Sequence, residues 1–354
     1  MITVDQAIDK VLDQRRQRQD FCIPLKRFSL TLDANGDNLV GVIDGQEYRP
    51  TDHCLRLMAT KMNVPHVTLK KYNGEGSDQT DRELLVQLFK NGVRDGRVDP
   101  DKEFRFRTYT DGTLRAMLTK KYAIVDNVWC LEQIKAAFPN DPLEFAHFRG
   151  DADTIYGNMR IPGQDYKSND SDYGGMIFVG NSEIGLGRVS VAPGVWRQVC
   201  TNGMMGWAPA WSKVHLGEID LAELSAEIVG GIHRAIPKLK DGFDLMIAAQ
   251  NRALGADPSK VIAEVADKYK LESPQARETL EAFGNHESQF RNLFGVVNAI
   301  TRAAQKQKVD SEQFRMEEIG GKLCSMSDQA WQRLNLSALN LEDKAINKIY
   351  GLAN

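Results

Sequence analysis

Residues 104–138, FRFRTYTDGTLRAMLTKKYAIVDNVWCLEQIKAAF, read as a β-hairpin followed by an amphipathic helix. Phe104 and Phe106 alternate with Arg105 and Arg107, the period-two pattern of a strand with one buried face. The return strand runs from Thr113 to Thr119. A two-residue Asp111-Gly112 turn would pair Thr110 with Thr113 and place Arg105 and Arg107 among Leu114, Ala116 and Leu118. A three-residue loop pairs Tyr109 with Thr113 instead. It gathers Phe104, Phe106, Leu114, Ala116 and Leu118 on one face and Arg105, Arg107, Tyr109, Arg115 and Thr119 on the other. A one-residue slip exchanges the two faces, so the register that segregates charge from core is expected. Such loops commonly end in a left-handed residue, the place Gly112 occupies.

The polar face of this hairpin carries three arginines and Tyr109, with Lys120, Lys121 and Tyr122 just beyond. Residues 105–125 hold five Lys/Arg and one Asp. Guanidinium forks match phosphate and aromatic rings stack on bases, so this face suits a nucleic-acid strand. The same pattern fits a sheet face whose arginines pair with local carboxylates. Asp126 is placed to cap a helix in which Val128, Leu131, Ile134 and Phe138 recur at helical spacing, and Pro139 ends it.

The chain has 354 residues, 42% of them hydrophobic, and a formal charge of −3. That is enough for a substantial core and excludes global basicity, so a polyanion site must be a local patch. Cysteines 22, 54, 130, 200 and 324 are scattered without a CxxC pair, which suits reduced cytoplasmic thiols rather than a disulfide framework or zinc site. The first residues read as a polar helix rather than a signal peptide, and no apolar run is long enough to span a membrane.

Upstream, residues 3–19 fit a charged helix. Strands flank a turn at Asn35-Gly36, and Thr51 caps a helix bearing Leu55, Met58, Ala59 and Met62. A short helix follows Pro65, and another over 78–91 is expected to bury Leu84, Leu85, Leu88 and Phe89. Downstream, strands are expected near 143–148 and 154–161, then a polar surface loop over 162–175. Three more strands follow, at 176–181, 184–192 and 195–200, with Pro193-Gly194 as a turn. Arg188 and Arg197 would extend the basic surface. From Glu218 the pattern is helical, with helices near 218–235, 241–253, 258–269, 274–283, 286–304 and 311–320. The expected fold is α+β: a mostly antiparallel sheet with packed helices and a C-terminal all-helical region. It divides into an N-terminal region (1–95), a central sheet with a crossing helix (96–217) and a helical region (218–354).

Common catalytic motifs are missing. Gly320-Gly321-Lys322 lacks the rest of a phosphate-binding loop, Gly185-Leu186-Gly187 has Ser190 where a dinucleotide motif needs its third glycine, and His286-Glu287 lacks a second metal-binding histidine. No cofactor, metal site or catalytic residue is predicted.

Several segments resemble a phage and plasmid family known as domain of unknown function 932. They are TDHCLRLMATKMNVPHVTLKKY (51–72), FRTYTDGTLRAMLTKKYAIVDN (106–127), GRVSVAPGVWRQVCTNGM (187–204) and LFGVVNAITRAAQ (293–305). The resemblance spans roughly residues 48 to 323 and implies a mobile-element protein working in a bacterial cytoplasm. It carries over no catalytic residue. The order of elements is also similar to phage single-strand annealing proteins of the Red-beta class, which implies an oligomer with DNA in a basic groove. The leading expectation is therefore a non-catalytic, homo-oligomeric single-stranded DNA-binding protein of annealing or recombination type. Arg105, Arg107, Arg115, Lys120, Lys121, Arg188 and Arg197 would contact phosphates, and Tyr109 and Tyr122 would stack on bases. A second expectation is an interaction protein that inhibits a host defence or replication protein through residues 203–212 and the helical tail. A third is a metal-dependent nuclease-like enzyme using Asp165, Asp170 or Asp172.

Overall fold

The computed structural model describes residues 1–351 apart from 75, 142, 169–171, 198–201, 206–210 and 309. The chain opens with β1 (Ile2–Thr3) and α1 (Val4–Arg15), a helix started by a reciprocal capping box between Thr3 and Gln6. Strands β2 (Arg18–Pro24), β3 (Phe28–Leu32), β4 (Leu39–Ile43) and β5 (Gln46–Pro50) follow. Then come α2 (Asp52–Lys61), α3 (His66–Asn73) and α4 (Gln79–Arg94). Thr51 and Asp78 cap α2 and α4 with side-chain oxygens. On α4, Leu85, Val86 and Phe89 turn inward, whereas Leu84 is 48% exposed, contrary to the expected stripe. The hairpin is β6 (Glu103–Tyr109) and β7 (Thr113–Thr119), followed by α5 (Asn127–Ala136) under an Asp126 cap.

Strands β8 (Glu144–Gly150), β9 (Thr154–Lys167), β10 (Asp172–Ser182), β11 (Val189–Arg197), β12 (Asn202–Met205) and β13 (Trp211–Lys213) come next. The expected polar loop over 162–175 is instead largely strand, a ribbon prolonging β9 and β10. Its anchor is aromatic: Tyr166 and Tyr173, paired across the ribbon, lie 5.0 and 5.4 Å from Phe243 of the helical region. Pro193-Gly194 is not a turn but the interior of β11. Pro193 pairs with Ile177 of β10 on one edge and, on the other, falls between the part of β11 paired with β13 and the part paired with β12.

Helices α6 (Leu221–Ala235), α7 (Leu239–Gln250), α8 (Pro258–Tyr269), α9 (Ser273–Ala282), α10 (Leu293–Ala304) and α11 (Asp310–Cys324) follow the periodic segments of the sequence, except that the helix expected from 286 starts at Leu293, after a π turn at Phe283–Glu287. Two more, α12 (Asp328–Leu339) and α13 (Asp343–Tyr350), lie beyond them. Every residue of α10 except Arg302 is buried, so the expected apolar stripe is the centre of the helical region.

The fold is α+β with two sheets. One has the order β1-β8-β9-β10-β11-β12, with β13 also on β11; the other runs β2-β6-β7-β5-β4-β3, parallel at the β5–β7 pair. The hairpin therefore shares a sheet with residues 18–50 rather than with the central sheet, and the chain changes sheet between Thr119 and Glu144. On one face of the central sheet α1, α5 and α6 pack against Phe145, Met159, Ile177 and Val191. The helical region closes on it through Tyr173, Val195 and Met204. The hairpin sheet has its core under α2 and α4, around Phe104, Phe106, Leu114 and Met117.

Among the described residues, no helix is long and apolar enough to cross a membrane.

Candidate functional site

The hairpin turn is the expected three-residue loop. The Gly112 N–H donates to the Tyr109 carbonyl at 3.0 Å, and φ at Gly112 is +76°. The register does not persist. Thr108 faces Leu114, but Arg107 faces Ala116 and Arg105 faces Leu118, so Arg115 is the extra residue of a bulge. Beyond the bulge the arginines share their face with Ala116 and Leu118, the arrangement the sequence argument rejected. Segregating charge from core favours one register only where one face is wet. Here the second face is buried as well, with Ala116 and Leu118 packed on Ile184 in the turn between β10 and β11 of the central sheet.

Arg107 is fully buried in this seam. Its Nε and Nη2 donate to the two carboxylate oxygens of Asp20 at 2.9 and 3.1 Å, and Nη1 donates to Glu183 at 3.1 Å. Glu183 also accepts from Arg18 Nη1 at 2.6 Å and from the Asn127 backbone N–H at 2.9 Å. The Tyr109 hydroxyl donates to Asp153 at 2.8 Å. Arg115 donates to the other Asp153 oxygen at 3.2 Å while its guanidinium lies 4.1 Å from the Tyr109 ring centre. Arg15 and Arg18 both reach Asp126, and Arg115 also faces Asp111 and Asp151. Four arginines thus meet six carboxylates. Burial pushes the Glu183 and Asp153 carboxyls up from their ordinary range, against the pull of the arginines. Arg107 is held above its ordinary value by Asp20, Glu183 and Asp153, despite the opposing effect of burial. A phosphate entering here would have to displace carboxylates from a cluster richer in acid than base. Arg107, Tyr109 and Arg115 are therefore joints between the two sheets, a correction to their expected role on an open nucleic-acid face.

The other predicted residues divide further. Arg197 is buried, 3.7 Å from Glu287 and over the rings of Phe290 and Phe294; it belongs to the contact with the helical region, not to the basic surface. Arg105 is half-buried. Lys120 is exposed and pairs with Glu103. Lys121 and Arg188 are exposed. Tyr122 stacks on His215 with ring centres 5.0 Å apart, donates to the Ser182 carbonyl and accepts from the Gly185 N–H at 3.1 Å. One of its faces is thus already occupied.

Of the suggested metal ligands, Asp165 pairs with Arg160 at 3.1 Å, Asp172 sits opposite Lys167 on the ribbon, and Asp170 lies outside the described residues. Among the described residues no group of three His, Cys, Asp or Glu side chains is arranged to hold a metal ion. Trp211 is half-buried beside α6, whereas Trp207 and Cys200 lie outside the described residues.

Sequence reading missed Arg18, Asp20, Asp153 and Glu183, the residues that complete the junction. Glu183 read as a turn residue and Asp126 as a helix cap alone. No local pattern marks them, because Arg18 and Glu183 are 165 positions apart. No family model matches this chain, and no curated protein or solved structure matches it.

Proposed function

We propose that this is a non-catalytic protein that binds single-stranded nucleic acid at the rim of the ionic junction rather than on the hairpin face. The observation that supports this reading is the surface around the 184–188 turn. Tyr122 holds Gly185, the Lys121 carbonyl accepts from the Gly217 N–H at 3.0 Å, and His53 Nε2 bonds the Ile184 carbonyl at 2.8 Å. Lys121 and Arg188, next in sequence to Tyr122 and Gly187, are exposed, and Arg56 is exposed on the helix that carries His53. Exposed cations of this kind suit a phosphate backbone, while the ring pair behind them, with His215 buried and Tyr122 half-buried, braces the turn. So few charges give modest affinity and a marked salt dependence, which repetition in a homo-oligomer would multiply. Phage or plasmid origin and an annealing role are part of the same proposal, resting on the sequence resemblance.

Fluorescence anisotropy with a labelled oligothymidylate at low and moderate salt tests it. The Lys121→Glu/Arg188→Glu variant is expected to lose roughly tenfold or more in affinity. Absence of binding by the unaltered protein at low salt sinks the reading. A protein partner is the second reading, favoured by Leu186, Val214 and Leu216, which stand 40%, 48% and 66% exposed near this rim.

A further inference from the structure

Strand β3 is the last strand of its sheet order, paired with β4 alone. Its register with β4 and the bond from the Asp33 N–H to the Asn38 carbonyl set the alternation of the ladder. Ser29 and Thr31 exchange bonds with β4, while the N–H and C=O groups of Leu30 and Leu32 turn away from β4 to the sheet edge, where Leu30 is 4% exposed and Leu32 half-buried. Unpaired edges of this kind are templates for another strand.

This edge borders a groove against α4. One section, about 350 Å³, is walled by Phe28 and Leu30 of β3, Met58 of α2 and Met62 just after it, and Phe89 and Val93 of α4. The next section continues along Thr31 and Leu32 past the exposed Leu84. Side chains from both faces of β3 line it, as a groove along a strand edge requires. Lys26 and Arg94 on its rim pair with Asp101 and Asp95. Lys90 lines both sections, is exposed, and has no ion-pair partner among the described residues.

We propose that β3 and α4 form a docking groove for an extended peptide, which adds to the sheet as a seventh strand. The five residues of β3 set the length recognised at about five residues, or roughly 17 Å. Alternate apolar side chains of the peptide enter the apolar section, and a carboxylate meets Lys90. The open backbone groups select a polypeptide over a simple amphiphile, and the pockets select its side chains. This site is separate from the rim at residues 184–188 and stands or falls independently of nucleic-acid binding.

The probe is a fluorescein-labelled eight-residue peptide alternating valine and threonine and ending in two aspartates, titrated into the full chain. Saturable binding is expected, with slowed amide exchange at Leu30 and Leu32. Lys90→Glu should weaken it about tenfold, the scale of one reversed charge contact, and should leave thermal unfolding unchanged. N-methylation of alternate peptide amides should abolish binding. No binding up to about 1 mM peptide overturns the proposal. Undiminished binding of the N-methylated peptide also overturns it, by showing a pocket for amphiphiles. A Lys90-dependent dimer in sedimentation that excludes the peptide assigns the edge to a second copy of the chain and overturns it likewise.

Discussion

Two buried carboxylates beside the central sheet stand in opposite circumstances. Glu183, at the seam with the hairpin sheet, is 1% exposed and receives Arg107, Arg18 and a backbone N–H. Glu317, on α11 at the seam with the helical region, is 3% exposed and receives Gln313 at 2.9 Å and Asn158 at 3.4 Å. The two seams differ as these residues do. The first joins its sheets through directional ion pairs around a small apolar contact of Ala116, Leu118 and Ile184. The second is a broad apolar core into which α10 sinks almost whole. An apolar seam supplies cohesion with little geometric preference, whereas a network of forked arginines tolerates one relative placement of the sheets. Both carboxyls are pushed up by burial; Arg107 and Arg18 bond Glu183 and oppose the shift there, whereas at Glu317 the opposition comes first from the neutral Gln313 and Asn158 and then from the charge of Arg149.

The largest effect is expected at Arg107. Arg107→Ala leaves Glu183 and Asp20 without their main cation inside the seam, and breaking such a buried pair costs about 3–5 kcal/mol. Arg107→Met combined with Glu183→Leu removes both charges and should recover most of that loss in urea unfolding. If the double variant is as unstable as the single one, the pair is not what makes Arg107 costly to remove.

Glu317 should respond with the opposite sign. Burial raises its carboxyl to about 7, while in the unfolded chain it titrates near the ordinary value of about 4.3. As pH rises between these values, the unfolded chain releases the proton and the folded one keeps it. Stability therefore falls through this window, and the decline levels off above it. Glu317→Gln abolishes the titration, so it should be neutral near pH 4 and stabilising at pH 8, by on the order of 3 kcal/mol. Denaturant curves at the two pH values check this. A destabilised glutamine variant at pH 8 would mean that the ionised form is held in place by the groups around it.

These differences also mark what the sequence could disclose. Helix starts were legible because a cap and the amide it serves lie within three residues, as at Thr51 with Cys54 and Asp126 with Trp129. The α10 core was legible from periodicity. The ribbon over 162–175 was hidden because its polar composition outweighs Tyr166 and Tyr173, whose partner Phe243 is far along the chain. The arginine face was correctly read as strand and as charged. Its burial was not legible, because it depends on Glu183 and Asp153, 76 and 46 positions from Arg107. A period-two pattern reports which side chains share a face, not whether a second sheet covers it.

The smallest expected effect lies where sequence and structure agree, at the hairpin turn. Gly112 has φ of +76°, and a Cβ built there meets nothing within 4 Å. Gly112→Ala therefore meets no clash beyond its own backbone, and the left-handed conformation costs about 1 kcal/mol for an alanine. Asparagine tolerates this conformation better, so Gly112→Asn should lose less. The Asp111 carboxylate, which accepts from the Thr113 N–H and hydroxyl, pins the loop independently of the side chain at 112. A loss above roughly 3 kcal/mol for alanine would exceed what the local backbone can account for. It would indicate that the hairpin had slipped toward the two-residue turn, moving the Arg115 bulge and the Arg115–Asp153 and Tyr109–Asp153 contacts with it. Turn and ionic seam would then be one cooperative unit, and a single glycine would set how the two sheets meet.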